Sequence, residues 1–254
     1  STYCASCHEE GKYGAPQRRN IESWEKYPRN LLTLTNLAIE GKGADLIASV
    51  ANWKNKFAWT GHRNNKIIFT DSELNITKEI TLKKSNLVGV SFLDSNNLLI
   101  LNRLNPNRIT VINLKNLKKV SFELSWIKDL YDIEVFGQCV YFSSRSLGKI
   151  YVFSTKDLTK KKELKPKVFL RGLQTPQHMS VLNGNLFVLE AKAHVITKIN
   201  LITKKISKFS MDVKRSCRGL AVSKTKFFTS CFIDDPRQDE KRTAIFEWAL
   251  KTMN

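Results

Sequence analysis

Five residues near the start of the chain carry the most specific chemistry in the sequence. Cys4-Ala5-Ser6-Cys7-His8 is the C-x-x-C-H arrangement of covalent haem c attachment. Two thiols separated by two residues reach the two vinyl groups of one haem, and the adjacent His presents an imidazole nitrogen to the iron as proximal ligand. Taken alone, the two cysteines serve equally as a disulfide or as half of a zinc site. Three more cysteines, Cys139, Cys217 and Cys231, bring the total to five. Cys217 and Cys231 fall on successive strands of one repeat unit, where a cross-strand disulfide in an oxidising compartment is one reading and buried free thiols are the other. No Gly-rich phosphate loop, G-x-S-x-G or His-Glu-x-x-His pattern accompanies them. Asp234-Asp235 and Asp239-Glu240 offer carboxylates for a cation, but with Pro236 between them they read better as a solvated loop.

The elements that must carry these groups are announced by a self-similarity of period roughly 40. His178 to Leu189, with Asn183-Gly184 at its middle, is followed by Val195 to Leu201 and Lys205 to Phe209. The same grammar runs through Ile133 to Phe142 and Lys149 to Phe153, and through Gly89 to Leu101, Arg108 to Leu114 and Lys119 to Phe122. It returns in Lys56 to Trp59, Lys66 to Phe69 and Ile76 to Leu82, and again in Gly219 to Val222, Lys226 to Phe232 and Ala244 to Trp248. Each unit reads as four short strands, with Asn-Gly or Asn-Asn at tight turns where positive φ is needed. Repeated four-stranded units of this length are the signature of a β-propeller, and these resemble NHL-like or YWTD-like repeats. The last unit ends after a third strand, so its fourth strand must come from elsewhere; Leu31 to Thr35 suits that place, with Leu46 to Val50 opening the first unit.

A competing use of those residues comes from the N-terminal segment, which resembles the small class I c-type cytochromes. The shared features are Cys-Ala-Ser-Cys-His, then Gly14-Ala15-Pro16, then Trp24, then Leu31 to Ile39 running into Gly41-Lys42-Gly43-Ala44. The resemblance implies that the Pro16 carbonyl accepts the proximal imidazole N–H, that Trp24 packs near the haem propionates, and that the Leu-rich stretch is a helix. Leu46, Ile47, Val50 and Trp53 stand at helical spacing and would imitate a closing helix. The family continues into Met-Pro, whose Met is the sixth iron ligand, whereas Ala44 here runs into Asp45-Leu46. A distal ligand would then have to come from the propeller, the candidates being Met179, His178, His62 and His194.

With 42 Lys+Arg against 23 Asp+Glu, the net charge is +19 and the isoelectric point about 9.8. Such a charge favours an acidic redox partner, a polyanion or an anionic membrane surface. No recognition-helix or RNP-like motif accompanies it, which argues against nucleic acid. No apolar run approaches the roughly 18 residues of a membrane span. The start, Ser1-Thr2-Tyr3, carries no basic-then-apolar leader, as expected of a mature chain after signal-peptide removal.

These readings predict a mainly β protein: a β-propeller of about five four-stranded blades over residues 45–254, preceded by a short cytochrome c-like helical segment over 1–44, extendable to 54. The expected function is that of a haem c redox protein, transferring electrons or binding a small ligand, in the periplasm or outside the cell. The alternative is a secreted, non-enzymatic propeller that binds an acidic partner or polyanion, with a disulfide-tethered N-terminal extension.

Overall fold

Short strands with apolar residues on both faces can be buried only where sheet stacks on sheet, and this chain builds such sheets one hairpin after another. The computed structural model describes residues 47–249, except 62–64, 74, 84, 105, 159–162, 212–216 and 234–241. Two compact units are present, one running to Leu173 and one starting at Gln174.

The first unit holds three sheets, each with its strands in sequential antiparallel order. Blade 1 is β1 (Ile47–Trp53), β2 (Lys56–Gly61), β3 (Lys66–Thr70) and β4 (Ile76–Thr81). Blade 2 is β5 (Leu87–Phe92), β6 (Asn97–Asn102), β7 (Arg108–Asn113) and β8 (Lys119–Glu123). Blade 3 is β9 (Leu130–Phe136), β10 (Cys139–Ser144), β11 (Lys149–Ser154) and β12 (Lys167–Arg171), with a 3-10 turn at Thr155–Leu158 before its last strand. The second unit holds blade 4, made of β13 (Pro176–Leu182), β14 (Asn185–Glu190), β15 (Val195–Asn200) and β16 (Ile206–Ser210). It also holds a three-stranded sheet of β17 (Cys217–Val222), β18 (Lys226–Ile233) and β19 (Arg242–Ala249).

The expected count of five four-stranded blades is corrected here to four. The fifth unit stops at three strands among the described residues, because no described strand pairs with the outer side of β19. Leu31 to Thr35, the segment expected to complete it, lies outside the described residues, as does the cytochrome-like segment 1–44. The extension of that segment to 54 fails. Ile47–Trp53 is a strand, held in antiparallel register by β2 from Ile47↔Gly61 to Trp53↔Lys56, so pairing overrides the helical spacing of its apolar residues.

Blade 2 shows why the inner strands read as unbroken apolar runs. Leu98 and Ile100 join Ala58, Ile67 and Phe69 of blade 1 in one core. Leu99 and Leu101 point the other way, into a second core with Ile133, Val140 and Phe142 of blade 3. Successive side chains alternate between faces, so a strand stacked on both sides needs every residue apolar. The outermost strands, buried on one side only, alternate instead; in β8 only Phe122 is fully buried.

Each first hairpin carries a register shift at the same end, between Ile47 and Ser49, Leu87 and Gly89, Phe142 and Ser144, Pro176 and Met179, and Cys217 and Gly219. The extra residue reverses the alternation. Leu87 thereby shares the blade 1 core with Val90 and Phe92, while Val88 faces blade 3. At Gly89 the bend brings the backbone so close to blade 3 that a Cβ would lie 3.0 Å from the Ile133 nitrogen. Around it Ser49 Oγ donates to Asp132 Oδ1 at 3.3 Å and accepts the Val90 N–H at 3.4 Å, a polar seam through the three blades.

A basic cleft on the first two blades

The hairpin turns at one end of blades 1 and 2 diverge around a cavity of about 770 Å³. Its floor is the uncovered margin of the apolar core: Trp53 at the end of β1, Phe69 at the end of β3, Phe92 at the end of β5 and Leu114 after β7. Trp53 is half-buried, with its ring centroid 6.5 Å from that of Phe92. The tight turn that follows places Lys54 at φ 54° and brings Lys56 back into β2.

Lys54, Lys56, Lys78 and Lys115 ring this floor. None of the four is paired with a carboxylate among the described residues. Lys78 reaches from blade 1 to blade 2 and donates from Nζ to the Leu114 carbonyl at 2.9 Å. An ammonium has three donors, so two remain for a ligand. Asp71 is the acidic residue of the lining, and its oxygens are taken by the Asn75 N–H at 2.8 Å and Asn75 Nδ2 at 3.1 Å. The Asn75 side chain first, and backbone donors with it, hold the Asp71 carboxyl below its usual pKa. Asp71 therefore stays ionised, oriented toward its own turn, and the four lysines outnumber it in the lining.

The residues singled out by sequence are scattered. Cys4, Cys7, His8, Pro16, Trp24 and His62 lie outside the described residues. Met179 is buried in β13, 3% exposed, and His178 beside it is half-buried. His194 sits in the β14–β15 turn at φ 53°, where its carbonyl accepts the Met211 N–H at 2.8 Å. Asn65 and Gly148 hold the same place in blades 1 and 3, at φ 55° and 60°, accepting from Leu82 and Leu173 just beyond the fourth strands. His194 is thus a turn residue, its Nδ1 buried without a hydrogen-bond partner. The Cys-x-x-Cys-His segment that a distal ligand would face lies outside the described residues. Among the described residues no three His, Cys, Asp or Glu converge as metal ligands. Cys217 and Cys231 are joined in a disulfide inside the core of the second unit, and Cys139 is a free thiol.

Sequence reasoning passed over three groups. The cleft was missed because its residues spread over four turns between Trp53 and Lys115. Glu190, fully buried, accepts from Thr197 Oγ1, the Gln174 N–H at 2.6 Å and Lys208 Nζ at 3.1 Å. Glu134, two residues beyond Asp132 on β9, has its carboxyl pKa raised well above the usual value by desolvation and by the charge of Asp132.

No protein-family profile and no curated protein matches the chain. Solved structures do. A Bacteroides caccae protein of unknown function superposes with a TM-score of 0.61 at 15% identity, covering 82% of this chain and 79% of its own. A chain of Kuenenia stuttgartiensis hydrazine synthase gives 0.60 at 9% identity, covering 84% and 67%. Virginiamycin B lyase from Staphylococcus aureus, as its catalytically inactive H270A form with quinupristin, gives 0.59 at 15% identity over 80% and 71%. At such identities the likeness is one of fold, and together with the blades it makes this chain a β-propeller.

Proposed function

We propose that this β-propeller is a non-enzymatic binding protein for an acidic macromolecular partner. The observation that supports it best is the ring of four lysines, unpaired with any described carboxylate, around an aromatic floor. On a surface of this net charge many lysines merely keep the protein solvated. Cationic groups converging on a half-buried tryptophan instead create a place where opposite charge is attracted and apolar area is buried. The disulfide supports an oxidising compartment, periplasmic or extracellular. No helix among the described residues is long and apolar enough to cross a membrane.

Binding of the full chain to poly-L-glutamate at about 0.15 M salt, where exposed charges act over roughly 8 Å, tests location as well as charge. Reversing Lys54, Lys56 and Lys115 to Glu is expected to weaken binding about tenfold more than reversing the exposed Lys165, Lys192 and Lys224. Equal losses overturn the reading.

The haem c reading rests on Cys4-x-x-Cys7-His8 with Gly14-Ala15-Pro16, Trp24 and Gly41-Lys42-Gly43-Ala44, all outside the described residues. A Soret band that survives acid-acetone extraction establishes covalent haem. Its absence from protein produced with haem c maturation leaves the disulfide and zinc readings of the motif.

A further inference from the structure

We infer that the cleft of blades 1 and 2 receives a short extended peptide whose acidic residues flank an aromatic side chain seated on Trp53. This rests on the function proposed above and names the occupant. The cleft has its charges and its apolar surface in different places: Lys54 and Lys56 at the first turn, Lys78 on the outer strand of blade 1, Lys115 in blade 2, and the rings between them. A ligand matched to it must be anionic at separated points and apolar in the middle.

Chemistry narrows the class further. Sites for small anions use a few fixed polar groups converging on one point, with Arg forks or backbone donors where phosphate is held. Here Lys54, Lys56 and Lys115 are exposed. Mobile point charges of this kind tolerate carboxylates at varied positions. The floor, in contrast, is fixed: Phe69 and Phe92 are buried at 7% and 6% exposure, and Trp53 packs against their core with its ring beside that of Phe92. An aromatic anchor surrounded by charged, exposed residues is the anatomy of a protein-recognition hot spot. Asn96, also in the lining, suits the backbone of an extended segment, and Thr77 Oγ1, which donates to the Phe69 carbonyl at 3.3 Å, keeps its acceptor side for one.

The test titrates the full chain with two fluorescein-labelled peptides, Glu-Glu-Glu-Phe-Glu-Glu-Glu and its Phe→Gly counterpart, read by fluorescence polarisation. The Phe peptide is expected to bind about tenfold or more tighter. Trp53→Ala is expected to erase that preference while leaving the weak, salt-sensitive binding of the Gly peptide. Lys54→Glu with Lys115→Glu is expected to weaken both peptides. Equal binding of the two peptides, or a preference that survives Trp53→Ala, overturns the inference; if poly-L-glutamate binding still depends on the cleft lysines, the functional reading stands without it. Displacement of the Phe peptide by a heparin oligosaccharide as effectively as by unlabelled Phe peptide assigns the rim to a polysaccharide and also overturns it. Should Trp53→Ala perturb the far-UV spectrum, 5-fluorotryptophan labelling asks the same question. The Trp53 resonance, assigned by Trp53→Phe, is expected to move with the Phe peptide, and an unmoved resonance overturns the inference.

Discussion

Blades 2 and 4 solve one problem by different chemistry. In both, the last residue of the second strand holds down the chain entering the first strand, sixteen positions earlier: Asn102 Oδ1 accepts the Asn86 N–H at 2.8 Å, and Glu190 Oε2 accepts the Gln174 N–H at 2.6 Å. In blade 3 the same register position is Ser144, whose Oγ donates to the Lys128 carbonyl at 2.6 Å. In the fifth unit it is Cys231, bonded covalently to Cys217. An amide, a hydroxyl and a carboxylate thus tie the second strand to the backbone in blades 2, 3 and 4, and a disulfide ties it covalently in the fifth unit. In those three blades the repeat preserves a backbone need, a polar group beside the bulge, and leaves the residue type free. The difference is that blade 4 has placed a full charge there, with Thr197 and Lys208 recruited to satisfy it.

The largest effect should come from removing that charge. Glu190→Ala orphans the buried Thr197 hydroxyl and the Gln174 N–H, and is expected to cost about 3 to 4 kcal/mol in urea unfolding. Glu190→Gln, which keeps an acceptor, should cost about half as much. If Glu190→Ala costs no more than Asn102→Ala, the contrast between the blades is broken.

Next comes the covalent tie. Reducing Cys217–Cys231 opens a loop of 14 residues, which chain entropy values at about 3 kcal/mol. A shift in the unfolding midpoint with dithiothreitol, absent from the Cys217→Ala/Cys231→Ala variant, checks it.

Asn102→Ala, which removes the acceptor of the Asn86 N–H, should cost about 2 kcal/mol in the same assay.

The smallest effect is confined to alkali and to blade 3. Burial first, then the charge and hydrogen bond of Cys139, raise the Tyr141 pKa from 10.0 to about 12. The unfolded phenol ionises first, so stability is intact below about pH 10 and falls as pH rises toward 12. Tyr141→Phe should flatten that limb of the pH profile and leave the neutral value nearly unchanged.

Most of the architecture was legible because it repeats. Asn183-Gly184 announced its turn and adopts φ 48° and 71°. The Ile-Asn-Leu endings of the third strands in blades 2 and 4 proved to be Asx turns, in which Asn113 accepts from the N–H groups of Lys115 and Asn116, and Asn200 from those of Ile202 and Thr203. Misreading came where local pattern and pairing disagree, as in Ile47–Trp53. The cleft was illegible for a geometric reason. Lysines in two turns and one outer strand look like scattered solvated charges until the stacking of two blades brings them around one floor.

The ties of the second strands have a consequence for how the protein is made. Each joins positions only 14 to 16 residues apart. Contacts that close over so short a span lose little chain entropy, and topologies rich in them order quickly. A blade can therefore lock its first hairpin while its outer strands are still being synthesised or exported. Within each unit assembly can proceed sheet by sheet, each new hairpin docking on a neighbour already fixed, and the aggregation-prone apolar runs of the inner strands need stay exposed only briefly.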